Sequence, residues 1–233
     1  MIRTQGCLNC GSCRRPCSHP ECQGLERCTR NCPQGLVRRA GEEVEAAVLA
    51  ERLLKVGELL DLGGGGFTLS GGEPLAQPAF ALELAALLRP HHLALETSGF
   101  CRTDVFERAI EAVDLVMIDL KHMDPDLHAR GTGVDNGHIL ENLEALIASG
   151  RRFAARVPLI PGYNDTEESL AAIAARLKPA RDRVTVELLP QNPLAGAKYP
   201  LVGRSYQLFN DPERSPRKGL AAFQALGIDA TVL

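Results

Sequence analysis

Short apolar runs alternate with amphipathic stretches through most of this chain, and that rhythm predicts its fold. Phe67–Leu69, Leu93–Thr97, Leu115–Leu120, Phe153–Ile160 and Val184–Leu189 are brief runs with β-branched members. Runs of this kind read as strands buried in a parallel sheet. Between them the apolar period lengthens to that of a helix. Glu42–Leu60 places Val44, Val48, Leu49, Leu53 and Leu54 at helical spacing, and Gly137–Ala148 does the same with Ile139, Leu140, Leu143, Leu146 and Ile147. Pro78–Leu88 and Thr103–Val113 are two more helices. Asp165-x-x-Glu168 reads as a capping box. Ser215–Pro216 reads as a cap and first-turn proline before a helix over Arg217–Leu226, and Ile228–Leu233 reads as a last strand. Strand–helix alternation over 39–233 means an α/β sheet, open or rolled into a partial barrel.

Polar residues fall where each strand ends. Ser70-Gly71-Gly72-Glu73 follows the first run, Glu96-Thr97-Ser98-Gly99 closes the second, Asp119 and Lys121 close the third, Arg156 sits late in the fourth, and Gln191-Asn192 follows the fifth. In parallel α/β folds that edge of the sheet is where ligands bind. Gly71 and Gly72 let the backbone approach a ligand closely, and Glu73 offers a carboxylate to an ammonium group. Asp119 and Lys121, two apart, point the same way on an extended strand. Singly, each piece has an ordinary explanation as a turn, a solvated acid or a salt-bridged strand end. Their convergence on one edge is what makes a binding site. Arg156 adds weight, because a guanidinium in an apolar strand needs a partner.

Residues 1–38 break the rhythm. They are rich in Cys, Arg, Gly and Pro, have little apolar content, and hold seven of the eight cysteines: Cys7, Cys10, Cys13, Cys17, Cys22, Cys28 and Cys32. The run C-x2-C-x2-C-x3-C favours iron–sulfur ligation over zinc, whose knuckles are usually paired and separated by a long spacer. Seven divides into four thiolates for a closed [4Fe–4S] cluster and three for a cluster with one open iron, so two clusters are expected. Bound metal would replace the missing core as folding energy. The six histidines, His19, His91, His92, His122, His128 and His138, show no ligand spacing and read as surface or core residues. Cys101 reads as a small buried apolar residue.

The 233 residues carry a net charge of −3, so no basic footprint argues for nucleic acid. No apolar run is long enough for a membrane span, and the first residues lack the apolar core of a signal peptide. A cytoplasmic protein is expected, and reducing conditions there would keep the cysteines as thiols.

Taken together, these motifs resemble the radical S-adenosylmethionine (SAM) enzymes, and within them the glycyl-radical-enzyme activating enzymes with a ferredoxin-like cluster insert. The matching stretches are GGGGFTLSGGEPLAQPAFALEL (63–84), LALETSGF (93–100), DLVMIDLKHMDPDLHARGTGVDNGHILENLEAL (114–146), RVPLIPGYNDTEESL (156–170) and VELLPQNPLAGAKYPLVGRSYQL (186–208). The resemblance implies a partial (βα)6 barrel, missing or shortened at its first strand, over 39–233, with an N-terminal ferredoxin-like iron–sulfur unit over 1–38. It implies that Gly71, Gly72 and Glu73 bind the amino group of SAM. Glu96, Thr97, Asp119 and Lys121 would hold SAM or a monovalent cation beside it, Arg156 would contact the carboxylate or ribose side, and Asn192 would stand on the adenosyl side. Lys121 and Arg156 are the residues placed nearest the chemistry. The implied reaction is reductive cleavage of SAM, followed by hydrogen abstraction from a glycine of a partner glycyl radical enzyme. A flavodoxin or ferredoxin-type protein would be the reductant.

The family's C-x3-C-x2-C loop is not present. Two registers fit the cysteines. In one, Cys7, Cys10, Cys13 and Cys32 share a cluster, Cys17, Cys22 and Cys28 share another, and Leu25 stands where a fourth cysteine is expected. In the other, Ile2-Arg3-Thr4 and Ser18-His19-Pro20-Glu21 resemble the segments flanking the family's loop. Cys10, Cys13 and Cys17 then hold the SAM cluster and Cys7, Cys22, Cys28 and Cys32 an auxiliary one. Asn192 stands where many relatives have histidine, and Glu96 where some have aspartate. The rival expectation is a non-catalytic iron–sulfur electron carrier or remnant.

Overall fold

Burial follows the strand alternation, and it assigns the two faces of the sheet opposite jobs. The computed structural model describes residues 6–23, 25–39, 41–192, 195–199, 205–206 and 219–233. They fall into two compact units, one within Met1–Glu43 and Asn192–Leu208, the other within Val44–Gln191 and Phe209–Leu233.

In the larger unit the elements run α1 (Ala46–Leu54), α2 (Gly57–Leu62), β1 (Phe67–Leu69), α3 (Pro78–Leu87), β2 (Leu93–Thr97), α4 (Thr103–Ala112), β3 (Leu115–Asp119), α5 (Pro125–Thr132), α6 (Gly137–Ala148), β4 (Phe153–Leu159), α7 (Glu167–Leu177), β5 (Val184–Pro190), α8 (Leu220–Gln224) and β6 (Asp229–Val232). The six strands are parallel and lie in chain order, β1 to β6. Parallel strands are joined as a rule by right-handed crossovers, so strand order without reversal stacks the helices on one face, as in a barrel wall.

The helix-covered face carries the core. Leu93, Leu95, Val116, Ile118, Phe153, Ala155, Val157, Val184, Val186 and Leu188 pack with Phe106 of α4, Leu143 and Leu146 of α6, and Leu170 and Ile173 of α7. Each fully buried side chain of this size contributes about 1.5–3 kcal/mol, so this face fixes the register. Among the described residues the other face holds a small apolar group, Ala94, Met117 and Ala154, and gives way to charged residues toward the strand ends.

Several boundaries depart from the sequence pattern. The expected helix over Glu42–Leu60 breaks between α1 and α2, where Val56 leaves helical geometry. Helix α5 was not expected; Asp124 caps it by accepting the Leu127 N–H, with Pro125 at its first position. The cap of α7 is Thr166, whose Oγ1 accepts the Ser169 N–H, whereas Asp165 is fully buried and accepts the Gly162 N–H. The expected capping box of Asp165 and Glu168 therefore does not form, and the cap sits one residue later. Ile2, Arg3, Thr4, Ser215, Pro216 and Arg217 lie outside the described residues. Among the described residues no helix is long and apolar enough to cross a membrane.

Candidate functional site

The parallel register aligns the charged residues. Asp119 on β3 stands opposite Arg156 on β4, which stands opposite Glu187 on β5. The Arg156 guanidinium joins two carboxylates: its Nη1 lies 2.9 Å from Glu96 Oε1, and its Nε donates to Glu187 Oε2 at 2.7 Å. Ser70 Oγ donates to Glu96 Oε2 at 2.7 Å. Lys121 Nζ donates to Asp119 Oδ2 at 3.0 Å, both side chains about a third exposed. Burial alone would lower the Arg156 pKa, but Glu187 and Glu96 outweigh it and raise it, so the guanidinium stays charged. Four carboxylates here (Glu73, Glu96, Asp119 and Glu187) outnumber two cations, Lys121 and Arg156, which pair with the last three of them. Such a surface favours a ligand bearing positive charge.

Glu73 is bound by donors of its own chain. Its Oε1 accepts the Leu75 N–H at 3.0 Å and the Thr97 hydroxyl at 2.7 Å, and its Oε2 accepts the Ser98 N–H at 2.8 Å and the Ser98 hydroxyl. The carboxylate ties the loop after β1 to the loop after β2. Gly71 has a φ of +114°, and a Cβ there or at Gly72 would meet nothing within 4 Å. The open feature of this loop is thus its backbone. A cleft of about 550 Å³ reaches Ser70, Gly72 and Glu73 and continues past Leu53, Phe67 and Phe80, a volume in the range of small-molecule sites.

Three buried asparagine amides hold the strand-end loops. Asn164 Nδ2 donates to the Lys121 carbonyl at 2.8 Å and to the Pro158 carbonyl at 2.6 Å, while its Oδ1 accepts the Ile160 N–H at 2.8 Å. Asn136 Nδ2 donates to the carbonyls of His122 and Met123, and Asn142 Nδ2 donates to those of Gly99 and Cys101. These residues, with Glu187, are site residues the sequence pattern did not single out. The buried asparagines leave no periodic trace. Glu187 was detectable as a charged residue inside an apolar strand, the same signal that singled out Arg156.

Asn192 belongs to the smaller unit, where it is exposed. In that unit the sulfurs form two groups. Cys7, Cys10, Cys13 and Cys32 line a cleft of about 280 Å³ together with Arg14 and Arg27. Arg27 Nη1 donates to Cys13 Sγ at 3.5 Å and the Leu36 N–H donates to Cys32 Sγ at 3.3 Å. Cys17, Cys22 and Cys28 converge separately, and His19 joins them: their four ligand atoms lie within 4.8 Å of one another. Cys10 and Cys13 line the first cleft, and Cys17 belongs to the second group. His19, read from the sequence as a surface or core residue, is instead a potential ligand. His128 is a satisfied core residue, its Nδ1 2.8 Å from the Val134 carbonyl. Cys101 is half-buried, and desolvation, with lesser repulsion from Glu73 and Asp104, pushes its thiol up to about 11.

Comparison with known proteins agrees with this geometry. The Radical SAM superfamily model matches residues 10–174. The choline trimethylamine-lyase activating enzyme of Oleidesulfovibrio alaskensis is 32% identical over 231 residues, covering 90% of this chain and 74% of that protein. The isethionate sulfite-lyase activating enzyme of Nitratidesulfovibrio vulgaris is 38% identical over 193 residues, covering 79% of this chain and 60% of that protein. The chain spans from 46% to 74% of the length of such curated relatives. Among solved structures, a domain of pyruvate-formate lyase-activating enzyme from Bacteroides vulgatus superposes with a TM-score of 0.59 at 26% identity, over 72% of this chain and 99% of that one. The six-stranded parallel wall, its charged strand ends and these relatives place the chain in the radical SAM superfamily, a family that implies a [4Fe–4S] cluster and SAM, among the glycyl-radical-enzyme activating enzymes.

Proposed function

We propose that this chain activates a glycyl radical enzyme, with 39–233 as the SAM-binding barrel and 1–38 as its metal-carrying part. The observation that carries the reading is the set of charged residues at successive strand ends on the face of the sheet that the helices leave uncovered. SAM carries an ammonium, a carboxylate and a sulfonium, and an acid-rich surface with two fixed cations suits that pattern. With SAM and a reduced [4Fe–4S] cluster bound, one electron would split a sulfonium C–S bond to give methionine and a 5′-deoxyadenosyl radical, which takes a hydrogen atom from a glycine Cα of the partner.

The chain's own residues prepare that step. The backbone at Gly71 and Gly72 meets the amino group, and Glu73 shapes their loop. Glu96, Thr97 and Asp119 offer oxygen ligands to the amino group or to a monovalent cation. Lys121 and Arg156 face the carboxylate and ribose, and Glu96 and Glu187 fix the guanidinium in direction. Asn192 is assigned to the adenosyl side. The four thiols around one cleft suit a cubane. Cys7, Cys10 and Cys13 are the compact trio that would hold it while leaving an iron for SAM. Cys32 lines the same cleft, its sulfur accepting the Leu36 N–H. Cys17, Cys22 and Cys28 make a second metal set, which the sequence pattern assigns to a second cluster. A flavodoxin or ferredoxin-type protein is the expected electron donor, and the cytoplasm the expected compartment.

The test is anaerobic reconstitution with iron and sulfide, followed by dithionite and SAM. 5′-Deoxyadenosine above the level of a Cys10→Ala control is expected, and with a glycyl radical enzyme present a glycyl radical signal in electron paramagnetic resonance. Reversible cluster reduction without 5′-deoxyadenosine would sink the catalytic reading and leave an electron carrier.

A further inference from the structure

The second metal set has its own geometry. Cys22 and Cys28 are buried, His19 is half-buried and Cys17 is exposed. Cys22 Sγ lies 3.7 Å from Cys28 Sγ, and His19 Nδ1 lies 3.3 Å from Cys28 Sγ. No other pairing in the group exceeds 4.8 Å. A short 3-10 turn over Pro20–Cys22 builds it: the Cys22 N–H donates to the His19 carbonyl at 3.0 Å, which brings those two side chains to one side. The Cys28 N–H donates to the Cys13 carbonyl at 2.7 Å and so fixes the far end. Donors also reach the sulfurs. The Asn31 N–H lies 3.3 Å from Cys28 Sγ, and Thr29 Oγ1 lies 3.5 Å from Cys22 Sγ. Such donors favour the thiolate that a metal requires.

We propose that Cys17, His19, Cys22 and Cys28 bind a single tetrahedral ion of the zinc class, in place of a second iron–sulfur cluster. Three thiolates and one imidazole are a standard structural zinc set, with Zn–S near 2.3 Å and Zn–N near 2.0–2.1 Å. A tetrahedron of those bonds separates neighbouring ligand atoms by about 3.5–3.8 Å; Cys22 and Cys28 at 3.7 Å fall in that range, and His19 and Cys28 at 3.3 Å lie just short of it. A cubane instead gives each thiolate its own iron and spreads the sulfurs across the whole cluster. The sequence supports the same count. Leu25 occupies the position where a repeated C-x2-C-x2-C would place a thiolate, and His19 supplies the missing donor from the other side of Cys22. The ion would act as the core of a segment that has almost none, since Cys22, Cys28 and Val37 are the buried hydrophobic residues among the described residues of 6–43. The proposal does not rest on SAM turnover; it concerns the set that the cubane proposed on Cys7, Cys10 and Cys13 does not use.

The test is elemental analysis of the full chain purified without oxygen and reconstituted with iron, sulfide and zinc. One zinc per chain is expected alongside iron. Cys10→Ala should lose iron and keep zinc, and His19→Ala should lose at least tenfold in zinc affinity while keeping iron and sulfide. Because His19→Ala could misfold, His19→Cys supplies the second variant: it should keep one zinc. Cobalt offered to the wild-type chain should give tetrahedral ligand-field bands with a mixed sulfur–nitrogen pattern, and these should shift to an all-sulfur pattern in His19→Cys. Iron and sulfide bound in equal numbers at this set in Cys10→Ala, with no zinc, would overturn the proposal. So would a wild-type chain that binds neither zinc nor cobalt. Either result leaves the 5′-deoxyadenosine assay untouched.

Discussion

The barrel wall and the cysteine unit reach order by opposite means. The wall buries an unbroken apolar layer between β-strands and helices, and its loops are stitched by fully or nearly fully buried asparagines. The cysteine unit places most of its residues at the surface, with 3-10 turns of three residues and few buried side chains among those described. In the first, cohesion comes from solvent exclusion and sets where charged residues can project. In the second, the functional ligands are themselves the cohesion. The same contrast separates what each region tolerates: the wall is sensitive to lost volume, the cysteine unit to lost coordination.

The largest effect expected follows from that difference. Removing metal with a strong chelator under reducing conditions should unfold the cysteine unit and leave the wall folded. Hydrogen exchange resolved by region is the measurement. Amides within 6–39 should lose protection almost completely, while those of β2 to β5 keep theirs. Equal loss in both regions would break the comparison, because it would mean that the wall also depends on coordination.

Next comes a substitution inside the wall that removes no apolar volume. Asn164→Ala deletes three hydrogen bonds in a fully buried place and leaves the Lys121 and Pro158 carbonyls and the Ile160 N–H without that partner. Stranded buried polar groups cost about 1–3 kcal/mol each before relaxation, so a total loss of about 2–4 kcal/mol is expected from urea denaturation. Metal content should be unchanged. A variant of unaltered stability would mean that water replaces the amide, and that the strand-end loops are less rigid than the geometry requires.

How much of this could be read beforehand depends on what kind of interaction fixes each part. Strands β1 to β5 were legible because burial on the helix side demands apolar side chains, and that demand writes a pattern. The start of α5 was equally written, in Asp124 and Pro125, but its apolar face is slight and the pattern gave no warning. The cap of α7 slipped by one residue because Asp165 and Thr166 are both good caps, and only the tertiary need for Asp165 at the Gly162 N–H separates them. At the strand ends, Asp119, Lys121, Arg156 and Glu96 were found by position. The use of Glu73 as a loop tie was not, since its four donors come partly from residues 24 and 25 positions away. His19 was passed over for a related reason: its distance from Cys28 is nine residues in sequence and 3.3 Å in space.

A smaller effect sharpens the account of the charged row. Glu187→Gln keeps the shape of the side chain and removes the charge that holds Arg156 from the β5 side. Both groups are about a quarter exposed or less, so the pair is worth roughly 1–3 kcal/mol as a charge-assisted hydrogen bond. SAM affinity should fall by about tenfold, the equivalent of 1.4 kcal/mol. Glu187 acts through the guanidinium, so the loss should appear in binding measured by calorimetry more than in the rate at saturating SAM. A rate loss with binding intact would place Glu187 against the ligand itself.

The smallest effect lies at the opposite end of the wall, and its sign can be worked out. Asp114 accepts the Leu93 N–H at 2.8 Å and both its oxygens take a hydrogen bond from Arg89 at 2.9 Å, so it pins the start of β2. Burial alone would raise its carboxyl, but the Leu93 N–H and the Arg89 guanidinium outweigh that and hold it below the usual carboxylate range. A carboxylate depressed in the folded state stabilises above its unfolded pKa of about 3.9 and loses that contribution as pH falls through the lower folded value. Asp114→Asn should therefore cost about 1 kcal/mol near neutral pH, discounted for an exposed pair. The gap between variant and wild type should close as the pH drops below about 4. Urea midpoints across that range are the measurement. A gap that stays constant down to pH 2 would show that shape, not charge, holds the edge of β2, and the wall would then owe its register to apolar packing alone.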